Sequence, residues 1–493
     1  MTLAWILFAL YLIGTTYLGW LGHQKTKDFS SFAIGAGDLS PLTVGVTLAA
    51  STASAATFII NPGFVYVDGL AAFMHLGVSL IAGVLTMLFL LSFRFRRIGE
   101  KYKALTIPDW IGKRYGSSTF SLYFALINLL GFAFIVLLVG GISIVMQPLL
   151  GVSNVMALLI TLVFVTGYVL IGGTYAHVFT NMLQGFLMIF VAIIILGSGV
   201  YLMATTPNFL EEIRTVNPNL LALTNPESKL FNDAFSTYVA GFCIGCAVVC
   251  QPHILTKALY VKSDRAVRQY LLIFAVVFTL FTLLLLTGFW AHLTVSADQL
   301  LDANTGAFRQ DLVMTVYLQN VFPDWVFTII SIVLLAAAMS TLDGLLVGIS
   351  TITANDLVLN LLKNKEQSTD EKMKLAFRVS QIVLVVIAVL AFVVTLNPPK
   401  LLGIFGQVGV YGLVLAAVPP LLLGVLLEKV SLRLVWTASI IGLLTHFILY
   451  FFGKQLFPDS TLAFSNPGLT ATIGFLLTSL PMLAIQYFYN QKK

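Results

Sequence analysis

The segment AAAMSTLDGLLVG, residues 336–348, places two hydroxyls and a carboxyl inside an apolar run: Ser340, Thr341 and Asp343. A charged side chain at the centre of a membrane-spanning helix costs roughly 2.5–3.5 kcal/mol on insertion scales, so something must offset it. A bound cation would do so. Ser340 and Thr341 are adjacent, about 100° apart on a helix, and both can address one neighbouring helix. Ala336, Ala337 and Ala338 let that neighbour's backbone come close. Two hydroxyl oxygens and a nearby carbonyl make half an oxygen cage for a hard monovalent cation. The plainer reading has Ser and Thr bonded back to the preceding turn and Asp343 hydrogen-bonded to an adjacent helix.

The stretch AASTASAATFIINPGFVY, residues 49–66, offers the other half. Small hydroxylic residues compete with the helical ladder, and Pro62 removes a donor. Such a segment is a poor continuous helix. Non-helical backbone at membrane depth survives only where it lines a cavity or is buried in protein. Broken helices of this kind expose carbonyls to ions and N–H groups to anionic substrates. A proline kink packed tightly through Ala and Ser is the structural alternative.

These residues need a scaffold, and the composition says which. The chain has 493 residues, is 58% hydrophobic and 10% charged, and has a mean hydropathy of +0.95. A soluble protein could not hide that much apolar surface. Long apolar runs predict an all-α integral membrane protein, not the short alternating segments of a β-barrel. About thirteen transmembrane helices are predicted, over 2–22, 41–66, 70–93, 120–148, 153–172, 178–203, 234–257, 268–294, 326–354, 376–396, 401–426, 432–452 and 468–488. An odd number puts the termini on opposite sides. With the N-terminus outside and the C-terminus cytoplasmic, 22 of the 27 Lys and Arg fall on cytoplasmic segments, as the positive-inside rule requires. That count includes Lys257, and no Arg or Lys is expected deep in any span. The basic balance therefore needs no nucleic acid. The first run lacks a basic leader and a small-residue cleavage site, so it reads as a retained helix. No phosphate-binding Gly-rich loop, paired catalytic cluster or pore loop appears, and no loop could hold a separate domain; enzyme and channel are disfavoured. A transporter-like membrane sensor would need an appended signalling domain.

The span plan, together with ASTASAATFIINPG, GGTYAHVFTNMLQG (172–185), CQPHILTKAL (250–259) and AAAMSTLDGLLVGISTITANDL (336–357), resembles the sodium/solute symporter family over essentially the whole chain. In pattern it is nearest to bacterial pantothenate- and monocarboxylate-type members. The resemblance implies one LeuT-type transporter domain over 1–493. Two inverted five-helix repeats would be spans 2–6 (residues 41–203) and spans 7–11 (234–426), with extra helices at the ends (432–488 at the C-terminus). It implies a sodium site from the carbonyls of Ala50, Ala53 and Ala337 and the hydroxyls of Ser340 and Thr341. It also brings Thr52, Ser54 and Thr57 in as solute contacts.

Other residues depart from the family pattern or stand as further candidates. Thr180-Asn181 stands where many members carry Thr-Asp, so Asn181 keeps an oxygen but loses the charge of a second sodium site. Asp343 is then a charge-balancing or proton-carrying carboxylate. His75 and Gln407 are further solute candidates, with Asn128 behind them. Cys243, Cys246 and Cys250 share one helix face and read as small packing residues; no disulfide and no metal other than sodium is expected. Only Phe242 is aromatic ahead of the QPH motif, which counts against proline. The expected function is sodium-coupled symport of a small carboxylate or zwitterion across the cytoplasmic membrane, without an organic cofactor, by a monomer or weak oligomer in the lipid bilayer. Proton coupling through Asp343, or a sugar or amino-acid solute, is the competing expectation.

Overall fold

Backbone in hydrocarbon must satisfy its own N–H and C=O groups, and a helix does so within one segment. The chain accordingly folds as helices. The computed structural model describes residues 2–491 apart from 36, 55, 303–305, 362–368, 400, 401 and 461. Among the described residues ten helices are long and apolar enough to cross a membrane, and up to twelve when each of two sharply bent pairs is taken as one span. Among the described residues the one extended pairing is a bridge between Leu301 and Phe308. Of the basic residues counted above, Lys363, Lys365, Lys400, Lys492 and Lys493 lie outside the described residues.

The expected spans 153–172 and 178–203 run together as a 52-residue helix, Asn154–Thr205. At 1.5 Å per residue that is about 78 Å, far more than one crossing. The helix is interrupted at Gly173, with φ 50° and ψ −135°. Glycine tolerates this conformation where a side chain would be strained, and an added Cβ would also strike the Phe32 ring. The turn therefore takes almost no chain.

The two bent pairs are Pro41–Thr52 with Ala56–Asp68, at 56°, and Phe235–Val248 with Pro252–Tyr260, at 67°. The first helix starts cleanly. The Ser40 hydroxyl accepts from the Thr43 N–H, and proline occupies the first turn, where its missing N–H costs nothing. It stops at Ala53, whose φ −81° and ψ 78° leave the helical region. The interruption expected in this segment is thus present, ahead of Asn61-Pro62-Gly63. The second bend corrects the reading of 234–257 as a plain span. Gln251, before Pro252, is extended at φ −67° and ψ 142°, because a residue preceding proline avoids the helical region. Pro252 then opens a new short helix.

Asn154–Thr205 packs against Thr2–Lys25, Pro41–Thr52 and Asp324–Ile352. Asp324–Ile352 is buried without interruption from Ile330 to Val347. Pro41–Thr52 and Asp324–Ile352 lie at the centre of this group, and Thr2–Lys25 packs on its outside with one face exposed. At the basic end, Arg96 and Arg97 both pair with Asp264. The Arg114 guanidinium donates to the Gly424 and Leu427 carbonyls at 2.9 and 2.6 Å, closing the end of Leu402–Leu426 with a cation where a helix C-terminus favours one.

Candidate functional site

A helix leaves its last carbonyls without intrahelical partners and carries a partial negative charge there. Pro41–Thr52 ends in the middle of the protein, and Asp324–Ile352 meets that end. The Ser340 hydroxyl lies 2.9 Å from the Ala50 carbonyl and 2.7 Å from the Ala337 carbonyl. The Thr341 hydroxyl donates to the Ser51 carbonyl at 3.0 Å. Ala50, Ser51, Ala337, Ser340 and Thr341 are fully or almost fully buried. Ser340 has one proton for two carbonyls, so hydrogen bonding alone leaves this oxygen-rich point short of positive charge. A cation would supply it.

A second polar cluster sits on the same helix. Asp343 Oδ1 accepts from His177 Nδ1 at 2.8 Å. Its Oδ2 accepts from the Tyr168 hydroxyl at 2.9 Å, with the Thr180 hydroxyl at 3.3 Å. A carboxylate oxygen only accepts, so the His177 proton is on Nδ1 and Nε2 is an acceptor. Lys257 Nζ lies 3.2 Å from that Nε2 and donates to the Thr47 carbonyl and Ser51 hydroxyl, both at 3.1 Å. Lys257, Asp343 and His177 are all at most 2% exposed. Three ammonium hydrogens meet three acceptors, and a neutral imidazole bridges ammonium to carboxylate. Ser51 joins the two clusters: its carbonyl faces Thr341, its hydroxyl faces Lys257. Asn181 ties them again, donating to the Ser51 hydroxyl and the Ser340 carbonyl, both at 2.8 Å.

The expected ion residues are therefore partly assembled. Ala50, Ala337, Ser340 and Thr341 converge, and the Ser51 carbonyl joins them unpredicted. Ala53 lies buried at the break, its N–H bonded to the Ala49 carbonyl at 2.9 Å. Asn181 turns its N–H groups, not its oxygen, toward Ser51 and Ser340. The Thr52 hydroxyl closes on its own helix at the Leu48 carbonyl, and the Ser54 hydroxyl accepts from the Ala56 N–H; Thr57 is half-buried just beyond. His75 is placed elsewhere. Its Nδ1 donates to the Ser236 carbonyl at 2.7 Å, and its ring lies 4.9 Å from that of Phe231. Gln407 is half-buried in Leu402–Leu426. Asn128 bonds back to the Phe124 carbonyl. The three cysteines are free and buried, and among the described residues no group of three or more His, Cys, Asp or Glu could hold a metal.

Two expectations are corrected. A lysine does lie deep in the protein: the bend at 249–251 carries Lys257 inward instead of leaving it at a cytoplasmic end. A buried His/Asp cluster with a nearby serine also exists, although the Ser51 hydroxyl faces Lys257 and Asn181. His177 went unnoticed because it falls between two predicted spans. The signals were present in a Gly-Gly turn just before it and in the proline before Lys257. A cleft lined by His177, His253, Gly344, Gly348, Thr351 and Thr106 lies beside this cluster.

Residues 32–442 match the sodium:solute symporter family. The chain is 26% identical over 454 residues to a sodium/pantothenate symporter of Haemophilus influenzae, covering 92% of this chain and 90% of the relative. It is 25% identical to the osmoregulated proline transporter of Bacillus subtilis, covering 80% and 77%. Its fold is similar to that of a Na+-coupled sialic acid symporter solved in a substrate-bound outward-open state, with a TM-score of 0.74 and 17% identity over 98% of both chains. A broken helix meeting Asp324–Ile352 at a buried oxygen cluster, in a helical membrane protein of this plan, agrees with that match: the chain belongs to the sodium:solute symporter family and is a multi-pass membrane transporter, not an enzyme.

Proposed function

We propose that the chain takes up a small carboxylate or zwitterion with sodium by alternating access, with the C-terminus and the basic end in the cytoplasm. The observation that carries this is the convergence of the Ser340 and Thr341 hydroxyls on the Ala50 and Ser51 carbonyls, at the negative end of a half-helix. Sodium there would draw on the Ala50, Ala53 and Ala337 carbonyls and the two hydroxyls, whose protons can rotate away. Binding would fix the broken helix against Asp324–Ile352 and complete a solute site around Thr52, Ser54 and Thr57. Solute would close the outer side, and sodium would leave along the cleft beside His177.

The energetics suffice with one ion. A positive charge crossing 100 mV supplies about 2.3 kcal/mol, and a tenfold sodium gradient adds about 1.4 kcal/mol. Together they sustain roughly a 500-fold gradient of a neutral or zwitterionic solute. For a monoanion the cycle is electroneutral and the voltage drops out. The relatives named for pantothenate and proline both carry a carboxylate on their solute. Lys257 has all its donors engaged, so a solute carboxylate would rest on N–H groups of the break, hydroxyls and sodium.

Uptake into liposomes tests this. Replacing sodium with choline should abolish it, and uptake unchanged in choline ends the sodium reading in favour of protons. A panel of monocarboxylates, pantothenate, amino acids and sugars, screened by thermal shift with and without sodium, identifies the solute class.

A further inference from the structure

Building on that sodium-coupled reading, we propose that Lys257 is a tethered cation standing in for a second coupling ion, so that the protein moves one sodium per solute. Asp343 is a fully buried carboxylate one turn from Ser340. Without a positive partner it would draw a cation to itself in this low-dielectric interior. The partner is already covalently supplied. Lys257 reaches in from the helix opened by Pro252, and its charge is relayed to Asp343 by His177, whose two ring nitrogens contact the carboxylate at 2.8 Å and the ammonium at 3.2 Å.

The ammonium also takes the oxygens a second ion would need. The Thr47 carbonyl and Ser51 hydroxyl belong to the same half-helix whose carbonyls face Ser340 and Thr341. Asn181 closes the space between the clusters with N–H groups. Turning its amide over would set its oxygen 2.8 Å from the Ser340 carbonyl, acceptor against acceptor, so the orientation is fixed by its partners. The tethered ammonium and the oxygen cluster of Ser340 and Thr341 thus meet at Ser51, with Asn181 as the second link between them. Gly344 makes the arrangement possible: an added Cβ there would lie 2.9 Å from His177 Cε1.

The test compares Lys257→Met, Asp343→Asn and the double variant Lys257→Met/Asp343→Asn with the wild type. Equilibrium binding of radiolabelled sodium to purified protein is measured alongside the thermal unfolding midpoint. The wild type should bind about one sodium per chain at saturation, and Lys257→Met should bind about two as the freed carboxylate takes a second ion. The double variant should return to about 1 and unfold at a higher temperature than Lys257→Met, because removing both charges leaves none unpaired. A wild type that already binds two ions, or a Lys257→Met protein that binds no more sodium than the wild type, overturns the proposal. If Lys257→Met does not purify, the double variant decides. Recovery of folded yield supports the tethered cation, and a double variant as poorly folded as the single one overturns it. A wild type that binds no sodium fails the underlying sodium reading and the proposal together.

Discussion

Within one turn of the same helix, Asp324–Ile352 carries two polar clusters built on opposite terms. Around Ser340 and Thr341 every group is neutral, the oxygens outnumber the protons, and the helix end adds negative potential. Around Asp343 the charges are formal, each ammonium hydrogen has an acceptor, and the carboxylate has donors on both oxygens. On the proposed reading the first arrangement would be improved by a visiting cation, while the second has its charges already paired. A transporter needs its ion bound weakly enough to leave, and neutral oxygens at a helix end meet that need better than a bare carboxylate. The carboxylate that is present has been given a partner that cannot dissociate.

Substitutions should separate the two clusters by size and kind of effect. The largest is expected at the charged one: Asp343→Leu strands Lys257 and should cost about 3–5 kcal/mol, read as a fall in the unfolding midpoint in detergent with or without sodium. Next, Ser340→Ala or Thr341→Ala should raise the sodium needed for half-maximal uptake by roughly 10-fold or more, the worth of about 1.5–3 kcal/mol for a polar contact to a charge, while the midpoint without sodium moves little. A matching loss of sodium-free stability would mean that these hydroxyls only pack. Gly344→Ala should push His177 aside at about 1–3 kcal/mol, lowering the midpoint but leaving the sodium requirement near wild type. Smallest, Cys243→Ala should change stability by no more than about 1.5 kcal/mol and leave uptake insensitive to chelators. Any chelator effect would reopen the cysteine face as a metal site.

The neutral cluster was legible in the sequence and the charged one was not, for a physical reason. Ser340, Thr341 and the AASTASAATFIINPG stretch announce themselves because hydroxyls, small residues and proline are out of place in an apolar helix, and the structure brings both stretches together. Lys257 lies only five residues before Lys262, so it reads as the first of a basic block at a membrane edge. What returns it to the centre is the 67° bend between Phe235–Val248 and Pro252–Tyr260, a matter of chain direction that hydropathy does not record. His177 is hidden likewise. The turn at Gly173 uses so little chain that a residue assigned to a loop is already inside the next helix. His75, a solute candidate by sequence, bonds the Ser236 carbonyl and so links the third segment to the start of the second bent pair.

That abrupt break at Gly173 has a practical consequence for anyone mapping which side of the membrane each segment faces. A reporter or protease site placed there would have no slack to occupy and would strike Phe32, so its failure would describe damage, not sidedness. Gly116, an open turn just after the basic stretch, leaves room for a Cβ but holds φ 64°, so a probe there should be inserted after the glycine and not replace it.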